Sequence, residues 1–372
     1  MTFKYGNFTK MGPIFGCSFK NLMKLLISNG KIAVKHYPRI FFMYAVTIVG
    51  IPFRVREKLL YSKRIKRTKI VYPPIFIIGH WRSGTTHLHN LLCQDPQFGF
   101  INMLQASFPN SFLSNNFFKF WMKKLLPETR PMDNMKMGVE EAQEDEMALG
   151  NLIPYTFYNA LYFPKRMVEY YHRYVRFRNI SSKISQKWKY NYDYLLKTTT
   201  LNMKGKCLIL KNPVNTARIR ILLELYPDAK FIHIFRNPYI IFLSTRHFYK
   251  KAIEQFMFQK VSKEIIERNI VEIYKNMMKV YLNQKKLIPN RNLVEIRFED
   301  LELDPLNQLK IIYTTLKLPG FEKNKDKFTM YLKQLINYKK NKFQLNDRII
   351  ELIRRHWDFT ITKWNYQIPD VM

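Results

Sequence analysis

The stretch from Val71 to Cys93 constrains this chain more than any other. Two prolines, Pro73 and Pro74, precede the run Ile75–Ile78 (IFII). That run is short, continuous and apolar, the pattern of a strand buried on both faces. It leads directly into Gly79-His80-Trp81-Arg82-Ser83-Gly84-Thr85-Thr86, and a helical pattern follows over Thr85–Cys93. Strand, G-x-x-x-x-G-T-T, helix is the layout of a phosphate-binding loop without the usual lysine after the second glycine. Gly84 permits a tight turn, and successive backbone N–H groups and the helix N-terminus face an anion. Ser83, Thr85 and Thr86 add hydroxyl donors, and Arg82 puts a cation inside the loop. A plain strand-to-helix turn needs neither three hydroxyls nor an arginine.

The same alternation continues downstream. Strand patterns cover Cys207–Leu210, Lys230–Phe235 and Leu293–Phe298. They are followed by Lys211-Asn212-Pro213, Arg236-Asn237-Pro238 and Glu299-Asp300-Leu301. Helical patterns cover Thr216–Leu225, Tyr239–Lys250 and Ser262–Gln284, and Asp304-Pro305 opens another that reaches Leu316. Short apolar strands alternating with helices specify an α/β fold with a central parallel sheet flanked by helices. Ligands of such sheets bind at the carboxyl ends of the strands, where the segment 80–86, Lys211, Arg236 and Glu299 fall. Residues 101–205 read mostly as helices and long loops. Residues 1–70 read as a helical, amphipathic, basic extension to a domain spanning 71–372.

Lys and Arg total 62 against 28 Asp and Glu, a formal net charge of +34. Such a field attracts polyanions. The lysines are scattered and not gathered in one arm or stripe, so no specific nucleic-acid partner is expected. Three widely spaced cysteines offer neither a disulfide framework nor zinc spacing, which fits a reducing compartment and a cytoplasmic location. The apolar run Ile40–Phe53 is fourteen residues long and flanked by Lys35, Arg39, Arg54 and Arg56. A spanning helix needs about twenty residues. The run therefore reads as an interfacial segment giving peripheral contact with anionic membrane, or else as a core helix.

A nucleotide triphosphatase holds Mg²⁺ with a carboxylate at a strand end. Here the corresponding ends carry Lys211 and Arg236, so the site suits anionic oxygens and no metal is expected. The proline pair, apolar strand, R-S-G-T-T and helix resemble the 5′-phosphosulfate loop of the sulfotransferases that use 3′-phosphoadenosine 5′-phosphosulfate (PAPS). Cytosolic members usually carry lysine where Arg82 stands; many other branches carry arginine. The segment FIHIFRNPYIIFLSTRHFYKK resembles the family's 3′-phosphate unit, an arginine at a strand end and a serine eight positions later, here Arg236 and Ser244. LILKNPVNTARIRILLELYPDAKFIHIFR and LVEIRFEDLELDPLNQLKIIY are similar to two further units, so the resemblance spans about residues 73 to 320. It is nearest to the bacterial branch acting on lipids and small hydrophobic alcohols.

The resemblance implies a P-loop, nucleotide-kinase-like sulfotransferase fold, PAPS as donor and the 3′,5′-bisphosphate PAP as product. It implies donor binding by Arg82, Ser83, Gly84, Thr85, Thr86, Arg236 and Ser244, with Arg82 also stabilising the leaving 5′-phosphate. His87 stands where cytosolic members stack a tryptophan on adenine. Lys340, within the basic run 338–342, corresponds to a stretch that several members place over the 3′-phosphate. Lys211 is expected to reach the sulfonate or the acceptor.

The hydroxyl to be sulfated needs a base. One acidic cluster stands out in this basic chain: Glu140, Glu141, Glu144, Asp145 and Glu146. Gln143-Glu144-Asp145-Glu146 is similar to a stretch in bacterial members. At helical spacing Glu141, Glu144 and Asp145 share a face, which makes Glu144 the first candidate base and Asp145 the second. The competing reading is an acidic helix start favoured by the helix dipole. Aromatic and methionine-rich stretches at Phe108–Trp121, Met132–Met137 and Tyr155–Pro164 suggest an apolar pocket and a lipid-like or sterol-like alcohol as acceptor. The alternatives are a P-loop small-molecule kinase, which would need Mg²⁺, and a polyanion-binding protein, which would leave the arginine–serine pattern unexplained.

Overall fold

A computed structural model describes residues 12–126, 137–336, 341 and 343–369. Its sheet has five strands: β1 (Ile75–Ile78), β2 (Phe98–Gly99), β3 (Cys207–Lys211), β4 (Lys230–Phe235) and β5 (Leu293–Arg297). Their order is β2-β3-β1-β4-β5, and every pairing is parallel. β1 lies at the centre, with Ile75 opposite Ile209 on one side and Lys230 on the other. All four of its residues are buried, which is why its sequence shows no alternation.

The expected α/β architecture holds, and its boundaries shift for local reasons. β3 takes in Lys211, and β5 stops at Arg297 because Phe298 opens a short helix, Phe298–Leu303. The helix expected over Thr216–Leu225 is two pieces, a 3₁₀ turn Pro213–Ala217 and a helix Ile219–Leu225. The Asn212 side chain accepts from the Val214 N–H at 3.2 Å and starts that turn early. β2 has two residues, too few to leave a pattern.

The chain divides into two compact units. The sheet unit comprises Tyr72–Gly99, Cys207–Tyr249 and the described residues from Lys263 onward. In it, helices Lys263–Gln284 and Asp347–Lys363 meet at Trp357, which stacks on Tyr274 (3.9 Å) and donates its indole N–H to the Val271 carbonyl (3.0 Å). The helical unit comprises the described residues up to Val71, Phe100–Lys206 and Lys250–Ser262. It contains helices Phe19–Ile27, Tyr37–Arg67, Asn116–Leu125, Asp145–Leu152 and Ser182–Asn202.

One buried carboxyl in the helical unit gives a testable pH dependence. Glu57, in Tyr37–Arg67, is 2% exposed. Its Oε2 accepts from Ser114 N (3.1 Å) and Ser114 Oγ (3.4 Å), while Oε1 has no hydrogen-bond partner among the described residues. Burial pushes the carboxyl up from 4.5 to about 7, which the donors only partly oppose. The folded state thus holds this proton more tightly than the unfolded state. The contribution is fully present below pH 4.5 and is lost as pH rises through about 7, on the order of 3 kcal/mol in all. Glu57→Gln mimics the protonated acid. In thermal melts it should match wild type near pH 4.5 and melt higher above about pH 7.

Candidate active site

The loop after β1 is shaped by its two glycines. Gly79 has φ 144° and Gly84 φ 95°. A Cβ at Gly79 would lie 2.2 Å from the Ile234 carbonyl oxygen, and one at Gly84 would lie 2.2 Å from the Phe298 ring. Gly84 caps the helix Thr85–Leu92, so the turn that aims the helix N-terminus depends on it. Gly84→Ala adds a left-handed backbone penalty to an overpacked contact. It should destabilise the protein by roughly 2–5 kcal/mol, read as a shifted denaturant midpoint.

Further hydrogen bonds hold the loop. The Gly79 N–H donates to Thr216 Oγ1 (2.7 Å), whose hydroxyl donates to the Gly79 carbonyl (3.2 Å). The Ser83 hydroxyl and N–H both donate to the His80 carbonyl, at 2.7 and 3.2 Å. The Ser83 hydroxyl therefore serves the loop itself. Thr85 is buried and Thr86 half-buried at the start of the helix.

The loop arginine joins two segments that are far apart in sequence. Arg82 takes a left-handed conformation (φ 71°), and its Nε donates to Ser244 Oγ at 3.0 Å. Arg236, just past the end of β4, donates from Nη1 to the Arg82 carbonyl at 3.2 Å, and its guanidinium stacks on Phe298 at 4.1 Å. Ser244 is buried in the helix Pro238–Lys251. Burial pulls the Arg236 guanidinium below its usual range, Glu299 and Glu302 pull it back up, and Arg82 opposes them as a like charge. Two adjacent guanidiniums beside a hydroxyl and a helix N-terminus concentrate positive charge and hydrogen-bond donors at this point.

Glu299 fixes the turn that presents Arg236. It accepts from the Asn237 N–H (3.1 Å) and from the Tyr366 hydroxyl (2.8 Å). Lys211 ends β3 and is 2% exposed. Next to it His89 is held down to about 3, by burial first and by the Lys211 charge second. His80 is buried edge-on against Tyr274 and donates from Nδ1 to the Trp81 carbonyl (2.8 Å). Burial lowers it to about 4, too weakly basic for general-base work at neutral pH. His87 is half-buried; burial lowers its pKa, and Glu302 partly restores it.

Glu144 and Asp145 belong to the helical unit, whereas the loop 79–86, Lys211, Arg236 and Ser244 belong to the sheet unit. The helix expected to align Glu141, Glu144 and Asp145 begins only at Asp145. Glu144 is its extended N-cap (φ −76°, ψ 133°), and Glu141 lies before it, its carbonyl accepting from the Met103 N–H (2.9 Å). The shared face is therefore not formed. Glu140 pairs with Lys119 (2.6 Å), and Glu146 Oε1 accepts from Thr156 Oγ1 and Phe157 N, both at 2.8 Å. Asp145 is fully buried and accepts from the Tyr192 hydroxyl. Glu144 is half-buried and accepts from the Tyr158 hydroxyl, whose pKa is driven well up by burial and then by Glu144, so it remains a donor. Lys340 lies outside the described residues, as does the stretch 132–136.

Sequence patterns singled out Arg82, Arg236 and Ser244, and the fold brings all three together. They did not single out Thr216 or Phe298, which shape the glycine turns. Among the described residues no group of three or more His, Cys, Asp or Glu is arranged to hold a metal ion.

A parallel sheet whose central strand feeds a glycine-bounded loop, with cations at the neighbouring strand ends, is the P-loop-like architecture and suits an anionic ligand. The chain belongs to the sulfotransferase family: the model described as "Sulfotransferase family" matches residues 73–323. The chain is 32% identical over 357 residues to the omega-hydroxy-beta-dihydromenaquinone-9 sulfotransferase Stf3 of Mycobacterium tuberculosis, covering 94% of this chain and 90% of that one. The Stf3 of Mycobacterium bovis matches to the same extent. Two solved structures share the fold. Sulfotransferase STF9 from Mycobacterium avium has a TM-score of 0.71 at 14% identity, over 93% of this chain and 90% of that one. STF1 from Mycobacterium tuberculosis has a TM-score of 0.65 at 18% identity, over 91% and 90%.

Proposed function

We propose that this sulfotransferase takes the sulfuryl group from PAPS and places it on the hydroxyl of a lipid-like, hydrophobic alcohol, working in the cytoplasm with peripheral contact at the membrane. The observation that carries the donor assignment is the Arg82–Ser244–Arg236 junction, which ties the loop motif to the distant arginine–serine motif. Arg236 and Ser244 hold the 3′-phosphate. The loop from Gly79 to Thr86, with Arg82, holds the 5′-phosphosulfate, and His87 lies against the adenine.

The acceptor oxygen attacks sulfur, its proton passes to the base, and the bond from sulfur to the 5′-phosphate oxygen breaks. The electron pair leaves on PAP, where Arg82 neutralises it, and Lys211 steadies the sulfonate oxygens. Glu144 is the base. It is a half-buried carboxylate that accepts from the Tyr158 hydroxyl, whereas Asp145 is fully buried. The acceptor class is supported by the relatives, whose name places a hydroxylated menaquinone as their substrate.

Sulfur-labelled PAPS should be offered with a ω-hydroxylated polyprenyl quinone, a sterol, a long-chain alcohol and a polysaccharide. Label should move to the lipid alcohols. Transfer to the polysaccharide alone would overturn the acceptor assignment.

A further inference from the structure

The helix Tyr37–Arg67 runs well past the apolar stretch 40–53. Its 31 residues are long and apolar enough to cross a bilayer by length and composition. One face is nevertheless committed to protein. Met43, Thr47, Gly50 and Glu57 are buried on it. Arg39 donates to the carbonyls of Phe256 (3.0 Å) and Met257 (3.1 Å), Phe53 stacks on Phe117 (5.5 Å, 14°), and Glu57 holds the Ser114 N–H. A helix fastened at points from Arg39 to Glu57 lies along its unit and does not thread a bilayer alone.

The opposite face is apolar and bare. Phe41, Ile48, Val55 and Leu59 recur at i, i+7, i+14 and i+18, one stripe of the helix. All four are exposed, Phe41 at 76% and Leu59 at 77%. Helix Asn116–Leu125, joined to the first through Phe53 and Phe117, adds exposed Phe117, Phe120 and Trp121, while its Phe118 and Met122 are buried. Exposed Arg56, Lys63 and Lys123 accompany these aromatics and aliphatics, and Lys124 lies over the Phe120 ring at 4.4 Å. Apolar exposure on this scale marks an interaction surface.

We propose that these two helices dock in the plane of an anionic bilayer. The Phe41–Leu59 stripe and Phe120–Trp121 enter the acyl boundary, and the basic side chains meet lipid phosphates. The charge selects this occupant. A second copy of the chain would set +34 against +34, whereas anionic lipid supplies the missing counter-charge. The inference rests on the lipid-acceptor reading, since an acceptor whose tail stays in the membrane must be met at its surface.

The test is cosedimentation of the full chain with vesicles of phosphatidylcholine, with and without phosphatidylglycerol. Wild type should pellet with the anionic vesicles only and be released by salt. The pairs Phe41→Ser with Leu59→Ser, and Phe120→Ser with Trp121→Ser, should each lose about tenfold or more in partitioning. The triple change Arg56→Gln, Lys63→Gln, Lys124→Gln should also weaken it. PAP affinity, unchanged in every variant, reports intact folding. It also separates the two readings: a wild type that pellets without binding PAP sinks the donor assignment and leaves the surface standing. Four outcomes overturn the docking: wild type staying in the supernatant, equal binding to neutral vesicles, variants pelleting like wild type, or resistance to alkaline carbonate extraction, which indicates a spanning helix. Self-association that the serine pairs abolish, without vesicle binding, would hand the surface to a second copy.

Discussion

Arg236→Ala should weaken PAP binding by about 3 kcal/mol, roughly 100-fold in Kd, while leaving the affinity for adenosine 5′-phosphate unchanged. The reason lies in the placement of the guanidinium. It is half-buried on Phe298, partly compensated by Glu299 and Glu302, and set beside a second arginine. A cation in that position is stabilised by an incoming phosphate, and its loss removes charge-assisted hydrogen bonds that alanine cannot replace. Adenosine 5′-phosphate lacks the 3′-phosphate and should not register the change. Arg82→Ala should differ. Arg82 Nε reaches Ser244 while its own backbone lies in the loop, so the variant should weaken both ligands. Isothermal titration of the two variants with the two ligands reads the contrast directly.

Glu144→Gln should lower kcat by about 10²- to 10⁴-fold with little change in PAP affinity, the signature of a lost general base. Gln keeps an acceptor for the Tyr158 hydroxyl and removes the proton sink, so the fold should survive. Asp145→Asn should show a different pattern. Asp145 is fully buried against Tyr192, so its change should appear in thermal stability first. If Asp145→Asn abolishes turnover while Glu144→Gln leaves it intact, the two roles are reversed.

The strand, glycine turn and helix start were legible because their information is local, within twelve residues from Ile75 to Thr86. Arg236 and Ser244 were legible through their spacing. The bond that unites them with the loop was not, since Arg82 and Ser244 are 162 positions apart. Thr216 was hidden for the same reason, 137 positions from the glycine it clamps. Helical periodicity misplaced Glu141 because it cannot show where a helix begins, and the extended backbone at Glu144 sets that point. Residues 1–70 read as helical, and the helix Tyr37–Arg67 extends beyond the fourteen-residue apolar run 40–53. Its continuation carries Arg54, Arg56 and Lys58, which leave the helix intact while breaking the hydropathy.

The most direct test of the central claim is titration of wild-type protein with PAP in the presence of a chelator, with ATP as competitor. Binding of PAP without metal, undisturbed by ATP, is the predicted result. No PAP binding, or ATP binding that requires Mg²⁺, would contradict the donor site and favour a phosphoryl-transferring enzyme.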